Sequence, residues 1–465
     1  MPKSNTVFVC QECGYESPKW LGQCICGAWN SFIEERLPPA NQKSSRLGDI
    51  SQARRKTASP VPLKDVTTST VPRSDTGIGE LNRVLGGGIV PGSLILLAGE
   101  PGIGKSTLIL QTALSLTLRD ETVLYVSGEE SETQIRLRAD RLTENIPGSL
   151  LMLSETNVEA ILEHAISTRP SMIIIDSIQT MYSEMLESAA GSVSQVRTCT
   201  SEIMRIAKDN EIPVFIVAHV TKSGELAGPK IIEHLVDCVL LFTGDRTQDL
   251  RILRSQKNRF GTTSEIGAFD MRESGLAEIP NLSGVLLDNM DKPGEGQITT
   301  AVYEGTRTLL LEMQALTAAA APGFGRRTAI GIENARLAMI IAVLERKAHL
   351  DLSAKDVFVN VVGGIKTEGT STDLAVALAI WSSAKGIPLP PRCCAIGELG
   401  LTGELRPVRS PEKIVGEAVK LGFKTLILPQ KSLASIKKTN NPQSFDGIEL
   451  CGHDDILSVL EFLRD

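Results

Sequence analysis

The sequence lacks the long apolar segments that enter or cross membranes. None of its 465 residues lies in an uninterrupted apolar run of about 18 residues, the length that a membrane-spanning helix needs. The first six residues, Met1 to Thr6, also lack the apolar core of a secretory signal peptide. We therefore expect a cytoplasmic protein that does not interact with membranes.

The chain also lacks an excess of positive charge. Its formal net charge is −7 and its pI is about 5.5, which excludes a globally basic nucleic-acid-binding protein. Any contact with DNA must therefore come from local basic loops. With 465 residues, 42% of them hydrophobic, the chain is long enough to form two or three domains with cores of their own.

Cysteine is sparse outside one short segment. Four of the nine cysteines lie within residues 10–26, and in a cytosolic protein such a cluster favours metal ligation over disulfides. Two residues separate Cys10 from Cys13, but only one separates Cys24 from Cys26. Four thiolates suit a tetrahedral Zn²⁺ site, which would supply most of the folding energy of so small a unit. We predict a zinc knuckle over residues 1–36, with four free thiols as the alternative that the narrow second pair leaves open.

The knuckle is followed by a segment of different composition. Trp20 and Trp29 flank the second cysteine pair and either pack over the knuckle, the commoner use, or stack on bases. Residues 37–65 are rich in proline, serine and basic side chains, which is typical of a flexible linker.

The most informative stretch is a G-x-x-x-x-G-K-[ST] motif. Its members are Gly99, Glu100, Pro101, Gly102, Ile103, Gly104, Lys105, Ser106 and Thr107. An apolar run precedes it and a helical pattern follows it, which is the context of a phosphate-binding loop. The backbone N–H groups and the helix N-terminus would bind phosphate, Lys105 would reach the β- and γ-phosphates, and Ser106 would ligate Mg²⁺. The motif predicts ATP and Mg²⁺ as ligands.

Acidic residues end two further apolar runs. Glu129 follows residues 122–127, and we predict that it orients or deprotonates the attacking water, with Glu130 as the second choice. Asp176 follows four apolar residues about seventy positions after the glycine loop. It is predicted to hold Mg²⁺ through its water shell. The carboxyl ends of parallel strands face the ligand in such sheets, so these side chains should meet at one edge.

Two more features lie beyond a fourth apolar run. His219 ends this run at a position that suits a sensor of the γ-phosphate, although a histidine at a strand end is also commonly structural. A glycine-rich loop with Lys222 and Lys230 follows and is a candidate to contact the DNA backbone; an ordinary surface loop is equally compatible with this composition. A second outward loop is predicted over residues 182–199.

The pattern of strands alternating with helices predicts an α/β fold with a mostly parallel sheet over residues 66–280. A closing pair of strands is expected at residues 236–242 and 250–255. Residues 281–465 show a new α+β pattern, with an exposed loop over 318–328 that carries Arg326 and Arg327, two further candidates for DNA contacts.

The motifs occur in the order found in one family. The cysteine knuckle, the glycine loop, His219 with Lys222, and the box Lys257-Asn258-Arg259-Phe260-Gly261 resemble a family of bacterial DNA-repair ATPases with a RecA-type motor. The resemblance covers essentially the whole chain, although family members usually carry C-x-x-C twice. It implies a DNA-dependent ATPase that acts with the RecA recombinase on single-stranded and branched DNA. It also implies branch migration by a helicase-like homo-hexamer, in which Lys257 and Arg259 reach the γ-phosphate bound by the neighbouring subunit and serve DNA-linked activity.

The C-terminal part is similar to the proteolytic domain of the Ser-Lys protease Lon. Ser371 falls where Lon carries its nucleophile, but Glu412 falls where Lon carries its lysine, and Lys413 is one position away. One residue rotates a helical side chain by about 100°, so Lys413 should point elsewhere and peptidase activity is not expected. Two other functions stay open: an ATP-dependent Ser protease, and a RecA-like nucleotide switch not coupled to DNA.

Overall fold

A computed structural model describes most of the chain. The described residues are 6–10, 15–36, 62, 72–220, 231–244, 249–287, 290–304, 307–320, 325–362, 367, 369–438, 445 and 447–464. They form two compact units that divide between Ile279 and Pro280, one residue before the domain boundary expected from the sequence. Within these ranges, no helix has the length and apolar character needed to span a bilayer.

The predicted zinc knuckle, called the N-terminal ribbon below, contains a three-stranded antiparallel sheet in the order β2-β1-β3. Its strands are β1 (Thr6–Cys10), β2 (Glu16–Ser17) and β3 (Phe32–Arg36). Its small core joins Cys10, Cys24 and Phe32, with Phe8 packed against them. Trp20 and Trp29 are 52% and 70% exposed, so both alternatives for them, packing over the knuckle and stacking on bases, stay open.

A nine-stranded sheet, in the order β12-β11-β10-β9-β4-β8-β7-β5-β6, dominates the rest of the first unit. Its strands are β4 (Leu94–Gly99), β5 (Val123–Ser127), β6 (Leu150–Ser154), β7 (Met172–Asp176), β8 (Val214–His219), β9 (Cys238–Gly244), β10 (Leu250–Asn258), β11 (Ile266–Arg272) and β12 (Gly275–Glu278). The helices are α1 (Gly79–Leu85), α2 (Lys105–Thr117), α3 (Glu132–Leu142), α4 (Val158–Thr168), α5 (Val193–Asn210) and α6 (Ile231–Leu235).

The central strands are apolar along their whole length because both faces of the sheet are covered. In β4, Ile95 and Leu97 face one hydrophobic cluster, while Leu94 and Leu96 face another on the opposite side. Strands β4 to β9 run parallel to one another. The carboxyl ends of β4, β5, β7 and β8 therefore meet at one edge, as the sequence indicates.

Two local predictions for this unit need correction. The closing part of the sheet has β11 and β12 in addition to the expected β9 and β10, and all four are joined antiparallel. The loop expected over residues 182–199 ends earlier, because α5 begins at Val193. The side chain of Ser192 caps this helix by accepting a hydrogen bond from the N–H of Gln195.

The second unit contains a seven-stranded mixed sheet in the order β15-β16-β14-β13-β17-β20-β21, and a separate hairpin, β18-β19. Its strands are β13 (Gln297–Glu304), β14 (Arg307–Ala319), β15 (Arg327–Ile330), β16 (Lys355–Val361), β17 (Cys393–Ala395), β18 (Glu398–Leu399), β19 (Leu405–Arg406), β20 (Thr425–Pro429) and β21 (Glu449–His453). The helices are α7 (Leu282–Leu286), α8 (Asn334–Lys347), α9 (Asp373–Lys385), α10 (Pro411–Lys420), α11 (Gln430–Lys438) and α12 (Ile456–Phe462).

The expected loop over residues 318–328 is shorter than predicted. Strand β14 continues to Ala319 and β15 begins at Arg327, where the two strands pair with opposite edges of β16. Ala318, Ala319 and Thr328 therefore belong to sheet structure, because β-pairing with residues 355–358 overrides the loop-like composition.

Candidate functional site

The glycine loop joins β4 to α2, as the motif predicts. Gly102 and Gly104 have φ angles of 79° and 113°, in the left-handed region that favours glycine. At Gly104 a Cβ atom would also lie 2.6 Å from Cε of Met271, the flexible end of a side chain, so the backbone conformation is the stronger reason for glycine. Helix α2 begins directly afterwards at Lys105, with its N-terminal N–H groups directed to the loop. The backbone therefore forms the anion-binding geometry of a phosphate loop.

Lys105 is buried at the first position of α2, with only 3% of its surface exposed. Its Nζ donates to the carbonyls of Gly99 at 2.8 Å and Glu100 at 3.0 Å, and lies 3.1 Å from Nδ1 of His219. Burial lowers the pKa of Lys105 to about 8, while the negative charges of Asp176 and Glu129 oppose that shift. The ammonium is thus held at the loop and next to two carboxylates.

Asp176 ends β7 beside the start of α2. Its Oδ2 accepts a hydrogen bond of 2.8 Å from the hydroxyl of Tyr125, and the hydroxyl of Ser106 lies close enough to lower the pKa of this carboxyl group. Burial raises the pKa of Asp176, and the two hydroxyls act in the opposite direction. Ser106 and Asp176, the predicted Mg²⁺ pair, are therefore close together, and a hydroxyl with a carboxylate is a donor set that suits Mg²⁺.

The geometry distinguishes Glu129 from Glu130. Glu129 accepts a hydrogen bond from Ser177, and its Oε2 lies 3.3 Å from Nε2 of His219. Glu130 turns to Arg138, whose guanidinium donates to it at 2.6 Å. Glu129 thus faces the loop side of the sheet edge, while Glu130 is neutralised by a cation on α3. This arrangement favours the first choice made from the sequence.

The box of residues 257–261 lies at the other edge of the sheet from the glycine loop. Asn258, at the end of β10, pairs with Cys238 at the start of β9, and Cys238 pairs with Ile95 near the start of β4. The glycine loop begins at Gly99, the far end of β4, which is four residues or about 13 Å from Ile95 at about 3.3 Å per residue. Lys257 and Arg259 therefore do not contact the glycine loop of their own chain.

The buried carboxylate of Asp237 connects the box of residues 257–261 to the start of β4. Asp237, 3% exposed, accepts hydrogen bonds from the N–H of Leu94 at 3.0 Å, from Lys208 at 2.6 Å and from Arg259 at 3.1 Å. The side chain of Arg259 nevertheless stays 56% exposed. Lys257 donates to the carbonyls of residues 233 and 234 in α6. Sequence reasoning missed Asp237, which carries no motif of its own.

The basic residues proposed for DNA differ in their surroundings. Lys222 and Lys230 lie outside the described residues. In the second unit Arg326 is exposed, whereas the guanidinium of Arg327 donates to backbone carbonyls, including that of Leu352 at 2.8 Å. Arg327 therefore stabilises the sheet edge, and Arg326 is the better placed of these two for contact with a phosphate.

Three of the four predicted zinc ligands converge. The sulfur atoms of Cys10, Cys24 and Cys26 lie within 4.8 Å of one another, and those of Cys10 and Cys26 are 3.8 Å apart. Zn–S bonds of about 2.3 Å at a tetrahedral angle place two sulfurs about 3.8 Å apart, so the set fits a tetrahedral Zn²⁺ ion. Cys13 lies outside the described residues. The single residue between Cys24 and Cys26 does not prevent convergence.

The region similar to a protease does not form a Ser-Lys pair. Lys413 donates to the hydroxyl of Tyr303 at 2.7 Å, and its ammonium lies 5.0 Å from the centre of that ring. The backbone of Ser371 is fixed by a 2.8 Å hydrogen bond from Gly397 to its carbonyl. The lysine is thus engaged elsewhere, as its position in the helix predicts.

Three family profiles match separate parts of the chain. The AAA domain profile matches residues 57–225, which contain the glycine loop, Glu129, Asp176 and His219. A rubredoxin metal-binding domain matches residues 8–34, and the ChlI subunit of Mg-chelatase matches residues 326–432. The nucleotide-binding core and the metal ribbon agree with the sequence predictions. The C-terminal match is to ChlI, and the similarity to Lon stays a prediction.

Curated relatives match the chain along its whole length. The DNA repair protein RadA of Bacillus subtilis (strain 168) is 48% identical over 467 residues, covering 100% of this chain and 99% of the relative. The chain belongs to the RadA family. RadA of Listeria monocytogenes is 46% identical over 97% of both chains, and RadA of Streptococcus pyogenes serotype M6 is 46% identical over 99% of both. The family predicted from the motifs is thereby confirmed, and its three-part architecture agrees with the described fold.

Proposed function

We propose that this RadA-family chain is a DNA-repair ATPase that couples ATP hydrolysis to movement along single-stranded and branched DNA. The observation that carries the proposal is the convergence of Lys105, Ser106, Glu129, Asp176 and His219 at one sheet edge. This set contains a phosphate-binding cation, two groups for Mg²⁺ and a carboxylate for the attacking water. The AAA profile and the family membership support the same activity.

Each group has a distinct part in hydrolysis. The glycine-loop N–H groups and Lys105 bind the phosphates, and Ser106 with Asp176 would hold Mg²⁺, which neutralises charge on the β- and γ-phosphate oxygens. Glu129 accepts the proton of the attacking water or orients that water for in-line attack. His219, between Glu129 and Lys105, is placed to respond when the γ-phosphate is lost.

The box of residues 257–261 is proposed to act on a neighbouring subunit. Its distance from the glycine loop of its own chain supports this role, because Lys257 and Arg259 have no route to that nucleotide. Asp237 holds Arg259 by one nitrogen while the side chain stays 56% exposed, which leaves donors for a second anion. An arginine supplied in trans implies a head-to-tail contact between subunits, and the closed homo-hexameric ring is proposed from the family resemblance.

Branch migration together with the RecA recombinase is the cellular activity proposed for this motor. The direct test is a three-strand exchange reaction begun by RecA, with RecA then removed and this protein added with ATP. Extension of the heteroduplex that requires ATP and is lost in Lys105→Ala supports the proposal. Joint molecules that stay unextended, although the protein hydrolyses ATP, would contradict it.

A peptidase is disfavoured by the Lys413–Tyr303 contact. An ATP-dependent protease would cleave an unfolded substrate such as casein and lose that activity in Ser371→Ala. We expect no cleavage by either protein.

A further inference from the structure

We propose that Tyr125 is a positioning residue for the Mg²⁺ site, acting through the carboxylate of Asp176. This inference rests on the proposed ATPase function and assigns a role to a side chain outside the nucleotide-binding motifs. Tyr125 lies on β5, next to β7, and its hydroxyl donates to Oδ2 of Asp176 at 2.8 Å.

The contact lies between two buried residues on neighbouring strands of the sheet. Tyr125 is 1% exposed and Asp176 is 7% exposed, so bulk water does not compete effectively for this hydrogen bond. In the β5–β7 pairing, Tyr125 lies opposite Ile174, and Ser127 lies opposite Asp176. The ring packs in the cluster between the sheet and α2, and from there the hydroxyl reaches the carboxyl edge of β7. The strand pairing thus fixes the position of the donor relative to the carboxylate.

The hydroxyl has a function that the ring alone does not supply. A phenylalanine at this position would fill the same apolar space but would leave Oδ2 of Asp176 without its tyrosine donor. The nearby hydroxyl of Ser106 also lowers the pKa of this carboxyl group, and the 2.8 Å hydrogen bond from Tyr125 restrains the orientation of the carboxylate. Groups that hydrogen-bond a metal-binding carboxylate orient it, and their removal typically weakens metal affinity by about 10- to 100-fold.

Tyr125→Phe tests the role, with Tyr182→Phe as a matched control. Tyr182 belongs to the same unit but is 36% exposed, so the control also removes one phenol hydroxyl. The first measurement is Mn²⁺ binding by electron paramagnetic resonance to protein saturated with a non-hydrolysable ATP analogue. The second is binding of a fluorescent ATP analogue in EDTA, which reports nucleotide affinity without metal.

We expect Tyr125→Phe to weaken Mn²⁺ binding by about 10- to 100-fold, with metal-free nucleotide binding unchanged. Saturating Mg²⁺ should restore most of its hydrolysis rate, and the control should behave as the wild type. Unchanged Mn²⁺ affinity in Tyr125→Phe, with wild-type nucleotide binding, would overturn this inference alone. A wild-type protein that binds no nucleotide would overturn the proposed ATPase function as well.

A measurement on the wild-type sequence keeps the inference testable if Tyr125→Phe does not fold. The four tyrosines can be replaced by 3-fluorotyrosine and observed by fluorine NMR. The Tyr125 signal is identified by its protection from a soluble paramagnetic agent, because its side chain is 1% exposed. Adding Mg²⁺ to the nucleotide-bound protein should shift this signal more than the others. A protected signal that Mg²⁺ leaves unchanged would overturn the inference.

Discussion

The ammonium of Lys105 lies 3.1 Å from Nδ1 of His219. His219 ends β8, which pairs with β4, the strand that leads into the glycine loop before Lys105. If Lys105 donates to Nδ1, the proton of the imidazole is on Nε2, which faces Glu129 at 3.3 Å. The phosphate-binding lysine and the proposed catalytic carboxylate are therefore connected through one ring. Hydrolysis and phosphate binding are expected to depend on this connection.

Glu129→Gln should bind ATP with nearly wild-type affinity but hydrolyse it about 10² to 10⁴ times more slowly, the range for loss of a general base. Glu130→Gln is the matched control, since Glu130 pairs with Arg138 at 2.6 Å and does not face His219. Its rate should stay within about tenfold of the wild type. Single-turnover hydrolysis with separate nucleotide binding distinguishes the two variants. A larger loss in Glu130→Gln would reverse the assignment.

Lys105→Ala should lower the hydrolysis rate by about 10²-fold or more, because it removes a buried cation from the phosphate site. The neutral side chain should not destabilise the fold strongly, since burial disfavours the charged form and lowers the pKa of Lys105 to about 8. Steady-state hydrolysis and thermal unfolding measured on one preparation check both points. Wild-type turnover in a folded Lys105→Ala protein would refute the site.

The purified chain should contain about one Zn²⁺ ion, and Cys26→Ser should lose it because tetrahedral sulfur sites need all four ligands. Metal analysis by mass spectrometry measures the content directly. An unchanged zinc content in Cys26→Ser would exclude Cys26 as a ligand. It would also indicate that two cysteines separated by one residue, Cys24 and Cys26, do not both bind zinc here.

Labelling of thiols after chelation is a second test of the zinc site, and the buried cysteines outside residues 10–26 are its internal control. Burial raises the pKa values of Cys199 and Cys238 to about 12, so at pH 8 only about one thiol in 10⁴ is the reactive thiolate. Chelation should therefore release ribbon thiols to a labelling reagent while these two stay unreactive in the folded protein. Labelling of Cys199 or Cys238 before unfolding would contradict their described burial.

Arg259→Ala should abolish most hydrolysis although its nucleotide affinity is retained, and mixing it with Lys105→Ala should restore activity. In a ring, an intact glycine loop of one subunit then meets an intact Arg259 of the next at about one quarter of the sites, if subunits mix at random. Arg272→Ala, which changes an exposed arginine paired with Asp270, is the control. Mixtures with no more activity than their components would indicate that Arg259 does not act between subunits.

Predictions from the sequence were most accurate where a short local motif determines both the structure of a segment and its chemistry. The glycine loop and the buried strand before Asp176 follow from motif spacing and apolar periodicity, and the structure contains both. The convergence of Glu129, Asp176 and His219 was also predictable, because parallel strands place their carboxyl ends at one edge.

Other features depend on contacts that are distant in sequence. In the sequence, Tyr125 is one more apolar position of a buried strand. Its role depends on Asp176, which is 51 positions later in the sequence and which β7 places beside it. Asp237 likewise gains its partners from residues 94, 208 and 259. Strands β11 and β12 were missed because their short segments carry no strong alternation, and their structure depends on the pairing of β11 with β10 and of β12 with β11.

Coupling of this ATPase to DNA is tested by the ATP hydrolysis rate with and without single-stranded DNA, at low and high salt. We expect that DNA stimulates hydrolysis, that the stimulation weakens as salt rises because phosphate contacts release counterions, and that Lys105→Ala removes the activity. A wild-type rate that DNA leaves unchanged at both salt concentrations would contradict a DNA-coupled motor. The nucleotide site would then belong to a switch.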